Sequence, residues 1–378
     1  MSSALKIFYV NGILALQNVM LNFFCYLLFR REMTPRRVLV FRTGSIGDSI
    51  CAFPALAAIR NHYQQAVIHI LTNSGGNSLI SLKALLDTAQ FDEVIDYSSS
   101  DLLTLRNIIK KNKYDLVIEL PQDQVSFITE LRNLFFFRLA GIASGWGWQI
   151  NTCFTFRQTQ ERNLVFVSET QRLLLILNSH GITLPLHNEY PLNIRNVDRQ
   201  YAEMLLAEAF PSNADQKIVA LVPGAKRVQN RYPVDRFVEL AQWLTAMNYK
   251  VIVIGGVEDV ENGRKLVVNK NVVSFSGLTT PVVSAVMISK CQVCISNDTG
   301  PMHLSYAVGT PVIGLFSSRD FQNKWFPPKG NIAIRNNQVH CSLCFSETCT
   351  NNICMQEIPL EEVKAAFFKI EKIKNEKQ

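Results

Sequence analysis

Charge is scarce in this chain. Only 18% of its 378 residues are Asp, Glu, Lys or Arg, against 48% that are apolar, which excludes a disordered chain held open by its own charge. The net charge of +7 comes from 38 basic and 31 acidic side chains and suits an anionic substrate or a membrane surface. No arginine-rich helix and no zinc-finger spacing concentrates that charge, so nucleic acid is not expected as a partner. The nine cysteines are odd in number. Cys25, Cys51, Cys153, Cys291 and Cys294 stand in apolar surroundings, where the residue behaves as small core filler, and a secreted disulfide framework is not expected. The length suffices for two α/β domains, each burying its own core.

The chain opens on an apolar stretch, Leu5 to Phe29. Asn11, Asn18 and Asn22 interrupt it and fall with Ala15 on one narrow face at roughly 100° per residue, so the pattern predicts a helix with a polar stripe. Arg30, Arg31, Arg36 and Arg37 follow. A cleaved signal peptide would carry charge before the apolar core and small residues after it, and both are lacking. Three readings stay open: an interfacial anchor, a signal-anchor span with its basic end in the cytoplasm, and a helix packed on the protein's own surface. Membrane attachment is the working expectation.

Beyond this the chain alternates strand and helix. Val38 to Phe41 reads as a buried strand, and Gly44-Ser45-Ile46-Gly47-Asp48 turns it into a helix. Such a unit begins a Rossmann-like domain. Gly44 and Gly47 permit close approach of a ligand, or simply a tight turn. Asp48 stands at the strand's carboxyl end, where an open α/β sheet places its functional side chains. Further units follow through Leu120, a helix is expected at 169–179, and Gly181 to Asn196, with Pro185 and Pro191, reads as a linker. Trp146 and Trp148 fit a buried turn or an acceptor surface.

A second domain restarts at Ile218 to Val222, ending in Pro223-Gly224-Ala225. The next loop carries Lys226, Arg227 and Arg231 beside the Gly224 turn and suits a diphosphate, or is an ordinary solvated basic loop. Further on, Ser296-Asn297-Asp298-Thr299-Gly300-Pro301-Met302-His303-Leu304 reads as strand, turn and helix, with Pro301 suited to the first helical position. The amides of Thr299, Gly300, Met302 and His303, with the positive end of the helix dipole, make an anion site fitted to phosphate. Asp298 is a helix cap or an acceptor for a sugar hydroxyl. Near the end, Cys341, Cys344, Cys349 and Cys354 have the spacing Cys-x2-Cys-x4-Cys-x4-Cys of a possible structural zinc site, with reduced or partly paired thiols as the alternative. Pro359 starts a last helix whose apolar face should pack on the protein.

The nonamer, Arg42-Thr43-Gly44-Ser45-Ile46-Gly47-Asp48 and Val222-Pro223-Gly224-Ala225 together resemble glycosyltransferase family 9, the bacterial lipopolysaccharide heptosyltransferases, from about Arg37 to about Val363. The resemblance implies the GT-B architecture: two Rossmann-like domains facing across a cleft, here with an extra N-terminal apolar helix. The expected divisions are a membrane-associating helix at 1–33, an acceptor domain at 34–190, a nucleotide-sugar domain with the Cys-rich tail at 191–358 and a helix at 359–378. In other two-lobed glycosyltransferases such a last helix crosses back to the first domain.

The implied function is inverting, metal-independent transfer of a heptose from ADP-heptose to a lipopolysaccharide core or other glycolipid acceptor. It would take place in the cytoplasm, peripheral to or anchored at the inner membrane. By resemblance Asp48 is the general base, and Glu258 accepts hydrogen bonds from the donor's ribose; a carboxylate opening a helix is the other reading of Glu258. The family's lysine two places before an aromatic-proline pair is replaced by Asn230 before Tyr232-Pro233, leaving Lys226 or Arg231 as substitute cations. No Asp-x-Asp occurs, so no catalytic ion and no cofactor are expected. A sugar-nucleotide epimerase on the same architecture and an inactive membrane-associated nucleotide-sugar binding protein remain as alternatives.

Overall fold

The computed structural model describes residues 3–30, 34–73, 82–87, 89–150, 153–159, 164–211 and 217–376. Arg31 lies outside the described residues. The chain divides into two compact units, Met1–Asn193 and Ile194–Gln378.

The first unit runs α1 (Ser3–Leu28), β1 (Arg37–Phe41), α2 (Ile46–His62), β2 (Val67–Thr72), α3 (Leu82–Leu85), β3 (Glu93–Asp96), α4 (Leu102–Asn112), β4 (Leu116–Glu119), α5 (Phe127–Leu139), β5 (Ser144–Trp146) and α6 (Glu169–Ser179). Its sheet has the order β3-β2-β1-β4-β5, with every pairing parallel. Both faces of such a sheet are covered, which is why its strands are continuous apolar runs rather than alternating ones. The order reverses between β1 and β4. Right-handed crossovers therefore put α2 on one face, and α4 and α5 on the other. On that second face Leu39 and Val117 meet Leu105 and Ile109 of α4 and Leu134 and Phe137 of α5.

Helix α1 joins the same layer. Leu21 is fully buried, Phe29 stacks on Trp148 at 4.9 Å, and Phe24 lies 5.8 Å from Phe135. Asn18 exchanges two hydrogen bonds with the Ile150 backbone: its amide donates to the carbonyl at 2.8 Å, and its oxygen accepts from the N–H at 2.8 Å. Of the three readings, the helix packed on its own protein is therefore realised for one face. The other face stays exposed and apolar.

The second unit runs α7 (Asn196–Ala209), β6 (Ile218–Val222), α8 (Val234–Ala246), β7 (Lys250–Val253), α9 (Val260–Leu266), β8 (Val272–Ser274), α10 (Pro281–Ser289), β9 (Val293–Asn297), α11 (Gly300–Ala307), β10 (Val312–Phe316), β11 (Ile332–Arg335), α12 (Ile353–Gln356) and α13 (Leu360–Asn375). Its parallel sheet has the order β11-β10-β9-β6-β7-β8 and reverses between β6 and β9. Val219, Leu221, Ile295 and Leu315 pack with Phe237 and Leu240 of α8 and with Val363, Phe367 and Ile370 of α13. The apolar face of α13 thus closes the core of its own unit. Its Glu361 and Glu362 in the first turn and Lys372 and Lys374 in the last complement the helix dipole.

Candidate active site

Open parallel sheets bind ligands beyond the strands' carboxyl ends, at the point where the strand order reverses. In the first unit that point lies between β1 and β4, where Arg42, Gly44 and Asp48 follow β1. Asp48 sits in the first turn of α2, half-buried. Its Oδ2 accepts from the Ser45 N–H at 2.8 Å and the Ser45 hydroxyl at 2.7 Å. Its helix-capping role is therefore real. These bonds also fix the carboxylate, and Oδ1 carries neither of them. Gly44 has φ +142, and a Cβ there would fall 2.4 Å from the Asp48 Cβ. Glycine is thus required both by the backbone and by the aspartate beneath it. Gly47 is buried in the same turn.

Arg42 braces this turn. Its guanidinium, almost wholly buried, donates to the carbonyls of Leu120 at 3.2 Å, Pro121 at 2.9 Å and Asp48 at 3.3 Å, and to Glu169 Oε1 at 3.0 Å. Arg172 donates to both oxygens of the same carboxylate, Oε2 and Oε1, each at 2.8 Å. An arginine directly after an apolar strand is the sequence signal for such a buried brace. Nearby, Glu119 at the end of β4 and Glu130 in α5 are both buried. Burial pushes both carboxyls up, and for Glu119 the neighbouring Glu130 adds to it. Trp146 stacks on His180 at 4.5 Å and Trp148 on Phe29, so both tryptophans serve packing.

In the second unit the reversal lies between β6 and β9, and two loops meet there. Asn297, fully buried, accepts from the Tyr232 N–H at 3.0 Å and donates to the Pro223 carbonyl at 2.7 Å. Asn230 donates to Asp298 Oδ2 at 3.0 Å, while its own oxygen accepts from the Ser317 hydroxyl at 2.8 Å. Around this junction opens a pocket lined by Arg227, Asn230, Asp298, Arg319, Asp320 and Trp325 among others. The Asp298 carboxyl is pushed up to about 7 by burial and then by Asp320, against the pull of Arg227, Lys324 and Arg319.

Thr299 is the extended N-cap of α11, and Gly300 opens the helix. The Met302 amide, nominated with the others from the sequence, is taken by the Thr299 carbonyl at 3.1 Å; the amides of Thr299 and Gly300, at the start of the helix, face the space beside Asp298 as an anion site would need. His303 sits deeper. It is buried, and its Nδ1 pairs with the Tyr306 hydroxyl at 2.7 Å.

The two cations nominated for the missing lysine are not the ones that line the pocket. Lys226 is exposed, and Arg231 turns back to donate to the Ala225 carbonyl at 2.8 Å. Arg227 and Arg319 line it instead. Gly224 is explained by Asp259, since a Cβ on this glycine would lie 2.2 Å from that carboxyl. Asp259 is buried, accepts from the Gly256 N–H at 2.9 Å, and has its pKa raised by burial. Glu258, one residue earlier, is exposed.

The four late cysteines lie in one another's neighbourhood. All four thiols are free, and among the described residues no group of three or more His, Cys, Asp or Glu side chains is placed to hold a metal ion. Cys344 is exposed and Cys354 is buried, and Cys341, Cys344 and Cys349 all lie near enough to add to the burial that raises the Cys354 thiol. Their loop braces the pocket. Asn352 donates to the Arg231 carbonyl at 3.0 Å, and Glu347 pairs with Arg319 at 3.0 Å and Arg227 at 3.4 Å.

Two Rossmann-like parallel sheets in succession, each with its functional loops at the strand reversal, define the GT-B class of glycosyltransferases. The chain belongs to glycosyltransferase family 9 (heptosyltransferase), whose model matches residues 102–354. That span includes the second unit's candidate site residues, Gly224 to His303, and leaves out α1 and Asp48. The chain is 22% identical over 305 residues to lipopolysaccharide heptosyltransferase 2 of Escherichia coli K12, covering 75% of this chain and 84% of that one. The solved E. coli ADP-heptose LPS heptosyltransferase II has a TM-score of 0.63 at 20% identity, over 88% of this chain and 98% of that one. E. coli heptosyltransferase WaaC, solved with ADP-2-deoxy-2-fluoro heptose, has a TM-score of 0.60 at 16% identity, over 88% and 99%. At these identities the structural likeness speaks to the fold.

Proposed function

We propose that the protein is an inverting heptosyltransferase that moves a heptose from ADP-heptose to a lipopolysaccharide core or related glycolipid at the cytoplasmic face of the inner membrane. The observation that carries this reading is the second unit's pocket. There Asp298, the opening of α11 and the cations Arg227 and Arg319 stand together at the strand reversal. The names of the E. coli relatives support the choice of sugar and acceptor, and the ADP-linked heptose analogue solved with WaaC supports that of the donor.

The chemistry is a single displacement. An acceptor hydroxyl attacks the anomeric carbon, and its proton passes to Asp48 Oδ1. The bond from that carbon to the diphosphate oxygen breaks, and its electron pair leaves with ADP. The first amides of α11 and the Arg227 guanidinium stabilise the charge that develops there. Attack opposite the leaving group inverts the anomeric centre. Arginine and backbone amides fill the role that a metal held by an Asp-x-Asp fills elsewhere, and this chain has no Asp-x-Asp. Asp298 takes a heptose hydroxyl, and Glu258 or the better-buried Asp259 takes the ribose.

A thermal-shift panel of nucleotide sugars tests the donor. A donor at a hundred times its dissociation constant stabilises by about 2.7 kcal/mol. ADP-heptose is expected to raise the melting temperature and UDP- and GDP-sugars to leave it unchanged. A response to UDP-sugars without one to ADP-heptose contradicts the assignment.

A further inference from the structure

Helix α1 carries two apolar faces. Val10, Asn18, Leu21, Cys25 and Phe29 fall on one side of the helix axis and dock on the first unit. Half a turn away, Leu5, Phe8, Leu16, Val19, Phe23 and Tyr26 fall on the opposite side and face solvent, Phe8 at 77% exposure and Tyr26 at 84%. One soluble domain has no use for the second stripe.

The stripe does not end with α1. Phe24 meets Phe135 of α5, and Ile128, Arg132, Phe135 and Leu139 form one outward line along that helix. Arg106 of α4 donates its Nε to the Leu139 carbonyl at 3.2 Å, joining α4 to the same surface, where Leu102 and Leu103 are exposed. The charges in these three helices are one-sided. Lys6, Arg106, Lys110, Lys111, Arg132 and Arg138 are basic; Glu130 is the sole acid within them and it is buried, with Asp101 exposed at the cap of α4. Aromatic and aliphatic side chains interleaved with arginine, with hardly an exposed carboxylate among them, complement an anionic lipid surface.

We propose that α1, α4 and α5 form a monotopic docking face for an anionic phospholipid bilayer, with α1 lying in the plane of the interface. A helix of 26 residues is about 39 Å long and is able to span a bilayer. Spanning, however, would strip Leu21 and Phe29 from the core and leave the Asn18 amide and the Ile150 backbone without their partners. The docked face holds the helix flat, and the outward stripe enters the headgroup layer. This inference rests on the membrane setting proposed above and adds which surface meets the lipid, and in what orientation.

Flotation of the full chain with phosphatidylcholine vesicles, with and without phosphatidylglycerol, tests it. Binding is expected to require the anionic lipid and to weaken at about 0.5 M salt. The triple variant Arg106→Glu/Arg132→Glu/Arg138→Glu should lower vesicle partitioning by about a hundredfold or more. Phe8→Asn/Tyr26→Asn should lower it at every salt concentration, with melting temperatures near the parent's in both cases. Alkaline carbonate should release the bound protein. Equal binding to neutral and anionic vesicles with resistance to carbonate indicates a spanning helix and overturns the proposal. Absence of vesicle binding overturns it too, and a concentration-dependent dimer in sedimentation would then assign the face to a second copy. Vesicle binding is read without sugar transfer, so loss of the transferase reading alone leaves this result intact.

Discussion

Asn230 donates a 3.0 Å hydrogen bond to Asp298 at the place where the family carries a lysine. A neutral amide satisfies the carboxyl without charging the pocket, and burial then leaves the Asp298 pKa raised to about 7. Donor affinity should fall as pH rises through about 7, because a carboxylate forms beside a diphosphate whose own charge is constant over that range. Isothermal titration at pH 6 and pH 8 reads the effect, and Asp298→Asn should abolish it. Equal affinities of the parent at both pH values contradict this role.

Arg227 is the expected replacement for the absent lysine. Arg227→Ala should weaken donor binding by about tenfold to a hundredfold, the worth of a charge-assisted hydrogen bond. Lys226→Ala should change it little, since Lys226 does not line the pocket. The reverse ranking in a titration would return the role to Lys226.

Asp48→Asn keeps an oxygen to accept from Ser45 but gives up the base. Transfer should drop by about 10² or more, with donor affinity unchanged and a stability loss of about 0.5–1 kcal/mol at most. Gly44→Ala should slow turnover as well, because its Cβ would displace the Asp48 side chain. Turnover near the parental rate in Asp48→Asn, at saturating donor and acceptor, identifies another base.

Glu119 and Glu130 give the fold a pH dependence. Their folded pKa values are raised above the unfolded ones. The stability they contribute is fully present below the ordinary carboxylate range and is lost as pH rises through the raised values. Glu130→Gln, which removes a buried ionisable group, should therefore raise the urea midpoint more at pH 9 than at pH 5. An equal effect at both pH values shows that Glu130 is already ionised at pH 5.

Much of the architecture is written locally. β-branched runs such as Val38 to Phe41 and Ile218 to Val222 are bounded by glycine turns, and the strands they form are buried on both faces, so apolar runs alone reveal them. The helix opening at Gly300 is equally plain from Pro301. The docking of α1 is not, because both its faces are apolar and the three asparagines suggest a polar stripe where only Asn18 is used. Nor is the Arg42–Glu169 pair, whose members are 127 residues apart. At the donor side, motif spacing locates the loops, but which cation points inward depends on side-chain direction. Arg227 lines the pocket and its neighbour Lys226 does not, although both are exposed, whereas Asp259 is buried and Glu258 exposed.

The central claim is heptosyl transfer, and a direct assay of product is its sharpest test. The purified full chain, mixed with ADP-heptose and a lipopolysaccharide acceptor truncated in its core, should add one heptose mass to the acceptor and release ADP in equal amount. The same mixture with Asp48→Asn should yield neither at a comparable rate. Release of ADP or isomerisation of the sugar with no gain in acceptor mass, across a series of core truncations, would contradict the account.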